Sequence, residues 1–229
     1  NDSLLETTGE NESQQTYRIV GDPTEGALLV AATKAGAIHV EIDEAYPREN
    51  EIPFDSERKR MITIHDVRDP KPHDPSPFYD QKHKDWDVIA VKGAPDIVLD
   101  LCTQYQGMDD KPRPMIKEAR ERILAANDAM TKDALRVIGF AYRVEKDVPD
   151  DPEKIKAIEL EKNLVFVGLT GMIDPPRTEV RPALEHARHA GIRTVMITGD
   201  FPNTAKAIAE AIGLLRPGKK VMTGAALDD

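Results

Sequence analysis

Ile192 to Asp200, IRTVMITGD, runs an apolar stretch straight into a hydroxyl, a glycine and a carboxylate. In an open α/β sheet ligands bind beyond the carboxyl ends of the strands. At such an end Thr198 can donate to an oxyanion. Gly199 lets backbone N–H groups approach a phosphate with no Cβ in the way, and the N-terminus of a following helix adds about half a positive charge. Asp200 would repel a phosphate directly, so it suits holding a cation or orienting its partners. The same letters also serve as a turn glycine and a helix-capping aspartate.

Four other stretches carry residue types suited to a phosphorylated aromatic ligand. In VKGAP, Lys92 at a strand end can reach an anion as a point charge, and Gly93 permits close contact; a solvated lysine at a turn reads the same way. PFDSERKRM gathers Phe54, Arg58, Lys59 and Arg60 in an otherwise acidic chain. Phe54 can stack on a base with cations beside it, or sit in the core of an amphipathic strand. Glu25 in GDPTEGA can accept from an exocyclic amine, or simply favour the helix dipole. Arg136 opens a strand in LRVIGFAYR, with a surface ion pair as its plainer use.

Other chemistries are excluded. There is no G-x-x-x-x-G-K-[ST], no G-x-G-x-x-G and no G-x-S-x-G. His186 and His189 are three apart on a helix but lack a third metal ligand. A formal charge of −10 argues against nucleic acid. Cys102 is the sole cysteine, so no internal disulfide or multi-cysteine zinc site exists. No apolar run approaches the roughly 18 to 20 residues that span a bilayer. The sequence opens on Asn1 rather than Met and reads as a piece of something larger.

The elements that must position these residues fall into two blocks. Residues 22–36 read as a helix with Asp22 as cap, Pro23 in its first turn, a face of Ala27, Leu28, Ala31 and Ala35, and Gly36 as stop. Residues 1–16 carry no pattern. Residues 50–67 read as a strand pair or one bent strand, 68–85 as a proline-rich loop, and 86–95 as a strand ending at a glycine before a short helix. Ile116, Ala119, Ile123, Ala126 and Met130 recur at helical spacing within 114–134. Strand 136–144 and a charged surface helix over 151–163 complete an α+β block. Beyond it, strands at LVFVGLTGM (164–172), IRTVMI (192–197) and KKVMTG (219–224) alternate with helices at 177–191 and 202–214. That alternation predicts a parallel sheet covered on both faces. IDPPR (173–177) is the stiff connector between the blocks.

GDPTEGAL, PFDSERKRM, VKGAP, DALRVIGFAYR, GMIDPPR and VMITGD stand here in the order and approximate spacing they have in P-type ATPases. From about residue 17 to 215 the chain resembles the cytoplasmic catalytic loop of the calcium-pump-like (P2) branch of cation pumps. The resemblance implies an α/β chain: an α+β nucleotide-binding (N) domain with an antiparallel sheet and flanking helices, then part of a haloacid-dehalogenase-like parallel phosphorylation (P) domain. Residues 1–173 would be the N domain, without its N-terminal part. Residues 174–176 would be the hinge, with Asp174, Pro175 and Pro176 leading to Arg177, and 177–229 part of the P domain. It places LVFVGLTGM on the N side, against the periodicity reading, and that placement is adopted.

The resemblance further implies ATP as substrate with Mg2+, and a γ-phosphate passed to an aspartate of a cation-translocating enzyme at the cytoplasmic face of a membrane. It puts Phe54 against adenine, with Lys59, Lys92 and Gly93 in the same pocket. Glu25 falls near the adenine amine, and Arg136 toward the phosphates. Thr198, Gly199 and Asp200 contact phosphate and support the Mg2+ region. Partners would be ATP and the transmembrane and actuator domains of the parent chain, and the piece itself would be soluble. The family's Asp-Lys-Thr-Gly-Thr, its downstream Gly-Asp-Gly-x-Asn-Asp and the lysine between them are absent here, which implies nucleotide binding without turnover. Relatives carry an arginine at the position of Ser56, for which Arg58 or Arg60 would stand in; Phe201 replaces a commonly polar residue. A soluble haloacid-dehalogenase-type phosphatase with a large cap would require D-x-D-x-[TV], which the chain lacks. A non-catalytic module is the other alternative. Trp86, ahead of Lys92, would report on the pocket.

Overall fold

The computed structural model describes residues 3–8, 16–37, 39–68, 83–133, 135–146, 148–149, 151, 155, 157–173, 176–198 and 202–222. The chain divides into two compact units, residues 1–124 with 138–170, and residues 125–137 with 171–229.

In the first unit β1 (Leu4–Thr8) and β2 (Thr16–Val20) form an antiparallel pair of their own, within a stretch whose letters show no pattern. Helix α1 (Pro23–Lys34) follows. The Asp22 carboxylate accepts from the Thr24 and Glu25 amides at 2.8 and 3.1 Å, and Gly36 leaves the helix at φ 90°, as the capping pattern predicts. The helix buries Gly26 and Leu29 rather than the predicted face. ALLVAA is apolar all round, so periodicity cannot select its buried side.

After α2 (His39–Ala45) come β3 (Arg48–Asp55), β4 (Arg60–Asp66), β5 (Asp87–Gly93), α3 (Pro95–Asp100), β6 (Cys102–Gln106), β7 (Pro112–Pro114) and α4 (Lys117–Lys132). Strand β8 (Arg136–Glu145), the short α5 (Ala157–Leu160) and β9 (Leu164–Met172) follow. Seven strands make one sheet in the order β3-β4-β5-β8-β9-β6-β7. The predicted α/β class with flanking helices is what is found. The sheet is mixed rather than purely antiparallel: β3, β4, β5 and β8 are antiparallel neighbours, whereas β6 lies parallel to β9. A parallel pair needs a long crossover, and here β7, α4, β8 and α5 lie between β6 and β9. LVFVGLTGM therefore belongs to the front block, where the resemblance places it.

The sheet is buried on both faces along its middle. Ile62, Ile64, Ile89, Val91, Leu164 and Phe166 pack with Val98, Leu99 and Cys102. On the opposite side Val88, Tyr142 and Val165 pack with Ala45, Tyr46 and Val67. Neighbours such as Val88 and Ile89 thus enter different cores, so these strands read as continuous apolar runs. Burial pushes the Cys102 thiol up to about 12, which leaves the only cysteine inert at neutral pH.

The stretch 151–163 differs from its prediction as a charged surface helix. Of its described residues only Ala157–Leu160 are helical, and Glu161 is buried at 5% exposure. In the second unit α6 (Val180–His189) and α7 (Pro202–Ala211) form as expected. The strands predicted at 192–197 and 219–224 do not appear among the described residues. Ile192, Val195 and Ile197 are exposed, Ile197 at 94%. A strand exists only by pairing, and no described segment of this unit lies beside them to complete a ladder. No helix among the described residues is long and apolar enough to cross a membrane.

Candidate functional site

The register of three strands builds one wall of a cleft. Met61 pairs with Lys92 and Lys92 with Phe140, so the three lie in a lateral row; Thr63, Ala90 and Tyr142 form the next row on the same face. Leu28, Leu29, Ala31 and Ala32 of α1 face them across a cleft of about 800 Å³. That volume lies within the range of small-molecule sites, and so does an apolar lining with a few polar groups.

Lys92 lines this cleft, and its Nζ lies 2.5 Å from Glu25 Oε1 in the first turn of α1. Both side chains are about four-fifths buried. Two residues 67 positions apart, each singled out from its own short stretch, are therefore joined. At the far end Tyr142 donates to Gln106 Oε1 at 2.7 Å, and burial, helped by the Asp110 carboxylate, holds its phenol above the ordinary value. Burial likewise holds His65 below its ordinary value. In the neutral ring Nδ1 donates to the Tyr46 carbonyl at 3.0 Å, so Nε2 accepts from the Thr63 hydroxyl at 2.9 Å. Thr63 in the cleft wall is thereby oriented by the neighbouring side chain on the same face of β4.

The turn between β3 and β4 carries the rest of the cationic cluster. Asp55 Oδ1 accepts from the Glu57 and Arg58 amides at 2.9 and 2.7 Å. Lys59 sits in the left-handed region at φ 55°, and its carbonyl accepts from the Ala94 amide at 3.0 Å. A Cβ on Gly93 would lie 2.4 Å from that carbonyl and 2.6 Å from the Arg60 Cβ. Gly93 thus admits the chain's own turn, a different close approach from the ligand contact expected of it. Phe54, before the turn, is 63% exposed and stands outside both core clusters, so it is not the core residue its strand position also allowed.

Arg58 and Arg60 both bond Glu161, each with one guanidinium nitrogen on a separate carboxylate oxygen. Burial alone would raise the Glu161 carboxyl, but the hydrogen bonds and charges of Arg60 and Arg58 outweigh it and hold the group below the usual range. The two guanidinium groups considered for the arginine expected at Ser56 are held in this ion triad. Trp86 stacks edge-on against His83 at 5.4 Å and is not among the residues lining the cleft.

The remaining predicted residues lie in the second unit. Arg136 is exposed at the start of β8, and Thr198 is exposed after the unpaired apolar run. Pro176 is half-buried; Arg177 is exposed, its carbonyl accepting from the Val180 amide at 3.1 Å. Gly199, Asp200, Asp174, Pro175 and Phe201 fall outside the described residues, as does most of the predicted loop 68–85. Met61, Thr63, Phe140, Tyr142 and Gln106 were given no role from the sequence. The β4–β5 register brings Met61 and Thr63 beside Lys92, the β5–β8 register, which joins segments about fifty residues apart, brings Phe140 and Tyr142, and Tyr142 holds Gln106.

Similarity to known proteins supplies an independent line. The family described as P-type ATPase, cytoplasmic domain N, matches residues 1–179. A calcium-transporting ATPase of Lactococcus lactis subsp. lactis is 40% identical over 214 residues, covering 93% of this chain and 22% of that protein. A calcium-transporting ATPase of Listeria monocytogenes is 38% identical over 228 residues, 100% of this chain and 23% of that protein. A cation-transporting ATPase of Synechocystis is 37% identical over 218 residues, 95% and 21% respectively. The chain therefore spans under a quarter of the length of these curated relatives.

Proposed function

The chain belongs to the P-type ATPase cytoplasmic N-domain family, and from that membership we propose that it is the ATP-binding part of a membrane cation pump, with calcium, as in the names of its relatives, the ion moved. One observation carries the reading. Lys92, which lines a cleft of a size and lining that suit a purine, is ion-paired to Glu25, a residue picked from a separate motif. By resemblance the adenine stacks on Phe54, whose ring is exposed, with Glu25 near its amine and Lys59 and Lys92 close by; of these four Lys92 lines the cleft itself. By resemblance alone, Arg136 takes the phosphates and Thr198, Gly199 and Asp200 serve the phosphoryl and Mg2+ region. Among the described residues, which do not include Asp200, no group of three or more His, Cys, Asp or Glu is placed to hold a metal.

Residues 1–173 form the nucleotide-binding domain, 174–176 the hinge, and 177–229 part of the phosphorylation domain. The parent chain's transmembrane and actuator domains are its partners at the cytoplasmic face. In the parent, bringing ATP to the aspartate works mostly by positioning and charge neutralisation. The motif that carries that aspartate is not in this sequence, so the chain binds ATP without turning it over. Calorimetric titration with ATP is expected to show saturable binding, weakened by about 1–3 kcal/mol in Phe54→Ala. A phosphate-release assay is expected to show no Mg2+-dependent hydrolysis. No heat of binding to the folded protein would overturn the reading, and robust hydrolysis would overturn the second half of it.

A further inference from the structure

We propose that Glu161 is a positioning residue of the nucleotide site, acting through Arg58 and Arg60 to set the turn that carries Phe54 and Lys59. The proposal rests on the nucleotide reading above and adds a residue that no sequence motif marked. Glu161 sits 103 residues from Arg58 and 101 from Arg60, in the segment just ahead of β9. It is 5% exposed and bonds both guanidinium groups.

A buried carboxylate with two guanidinium partners adds little net stability over apolar packing of the same volume, because desolvation offsets the attraction. What it adds is geometry. Arg58 and Arg60 stand on either side of Lys59, and Arg60 also donates to the Arg58 carbonyl at 2.8 Å. Holding both neighbours holds Lys59 in its left-handed conformation, which a non-glycine residue rarely keeps unaided. From there the Lys59 carbonyl receives the Ala94 amide and closes on Gly93, one residue beyond Lys92. One carboxylate thus orders the turn from its outer side while the strand end at 93–94 fixes the inner side.

Glu161→Gln keeps the shape and removes the charge. In calorimetric titrations with ATP the variant is expected to bind about tenfold more weakly than the wild-type chain, the scale of losing charge-assisted hydrogen bonds. Acting through the turn predicts a further readout that general loosening does not. In a Phe54→Ala background the same change should cost at most about twofold, since the ring it positions is gone. The amide NMR signals of Lys59 and Ala94 should shift while those of Ile62 and Ile89 stay put. Where Glu161→Gln does not fold, Arg58→Lys, which keeps the charge but loses the planar fork, replaces it in the same cycle with the same expectation. A folded variant with unchanged ATP affinity, or an equal loss in both backgrounds, overturns the proposal alone. A wild-type chain that takes up no ATP overturns the nucleotide reading and the proposal with it.

Discussion

Lys92 shows how placement assigns a role that identity leaves open. As a letter in VKGAP it suits any anion, and a phosphate is the first partner that chemistry suggests. In the fold it lies in a row between Met61 and Phe140, four-fifths buried, with Glu25 at 2.5 Å. By resemblance Glu25 belongs beside the adenine amine, which puts the ammonium on the base's side of the cleft. Lys92→Ala is therefore expected to weaken ATP and AMP by the same factor, about tenfold for a lost hydrogen bond to a charged group. Titrating both nucleotides checks this, and a loss confined to ATP would move the ammonium to the phosphates. Phe54 makes the converse point. Its letter allowed core or stacking, and its exposure decides against the core.

At the scale of elements, the junction of the β3–β4 turn with the end of β5 is a tightly constrained contact near the site. Gly93 pairs with Arg60 on one side and Gly139 on the other, and a Cβ there would strike backbone, not the end of a flexible side chain. Gly93→Ala should therefore destabilise the fold by about 1–3 kcal/mol, the range for overpacking. Urea denaturation of the two proteins measures it, and an unchanged midpoint would show that the turn can step aside. The capping signs of α1 were legible because they are local: Asp22, Pro23 and Gly36 act within one turn of the helix. The register of β5 against β8 was not, because the two strands are joined through α3, β6, β7 and α4.

For the whole molecule, the distribution of buried residues decides what can stand alone. Both core clusters, with the hydrophobic residues packed against them, lie between Ile42 and Leu169. A chain of residues 1–173 should accordingly unfold cooperatively near the same temperature as the full chain and bind ATP with the same affinity. Circular dichroism melts and calorimetry test this; loss of the cooperative transition would place part of the core's support beyond residue 173. In the second unit Ile192, Val195 and Ile197 have the composition of a buried strand without the burial.

Helix signals, turn residues and the order of six motifs act over a few positions each, so the sequence by itself determined α1, α4, the α/β class and the family, and left 50–67 as a strand pair or one bent strand. Tertiary structure alone decided four things: that β9 lies beside β6, that Lys92 meets Glu25, that Arg58 and Arg60 are held by Glu161, and that IRTVMI is not a strand here. Each depends on a partner many residues away. The free energy of a ladder, an ion pair or a buried face resides in the pair, and a residue's own letter does not name its partner.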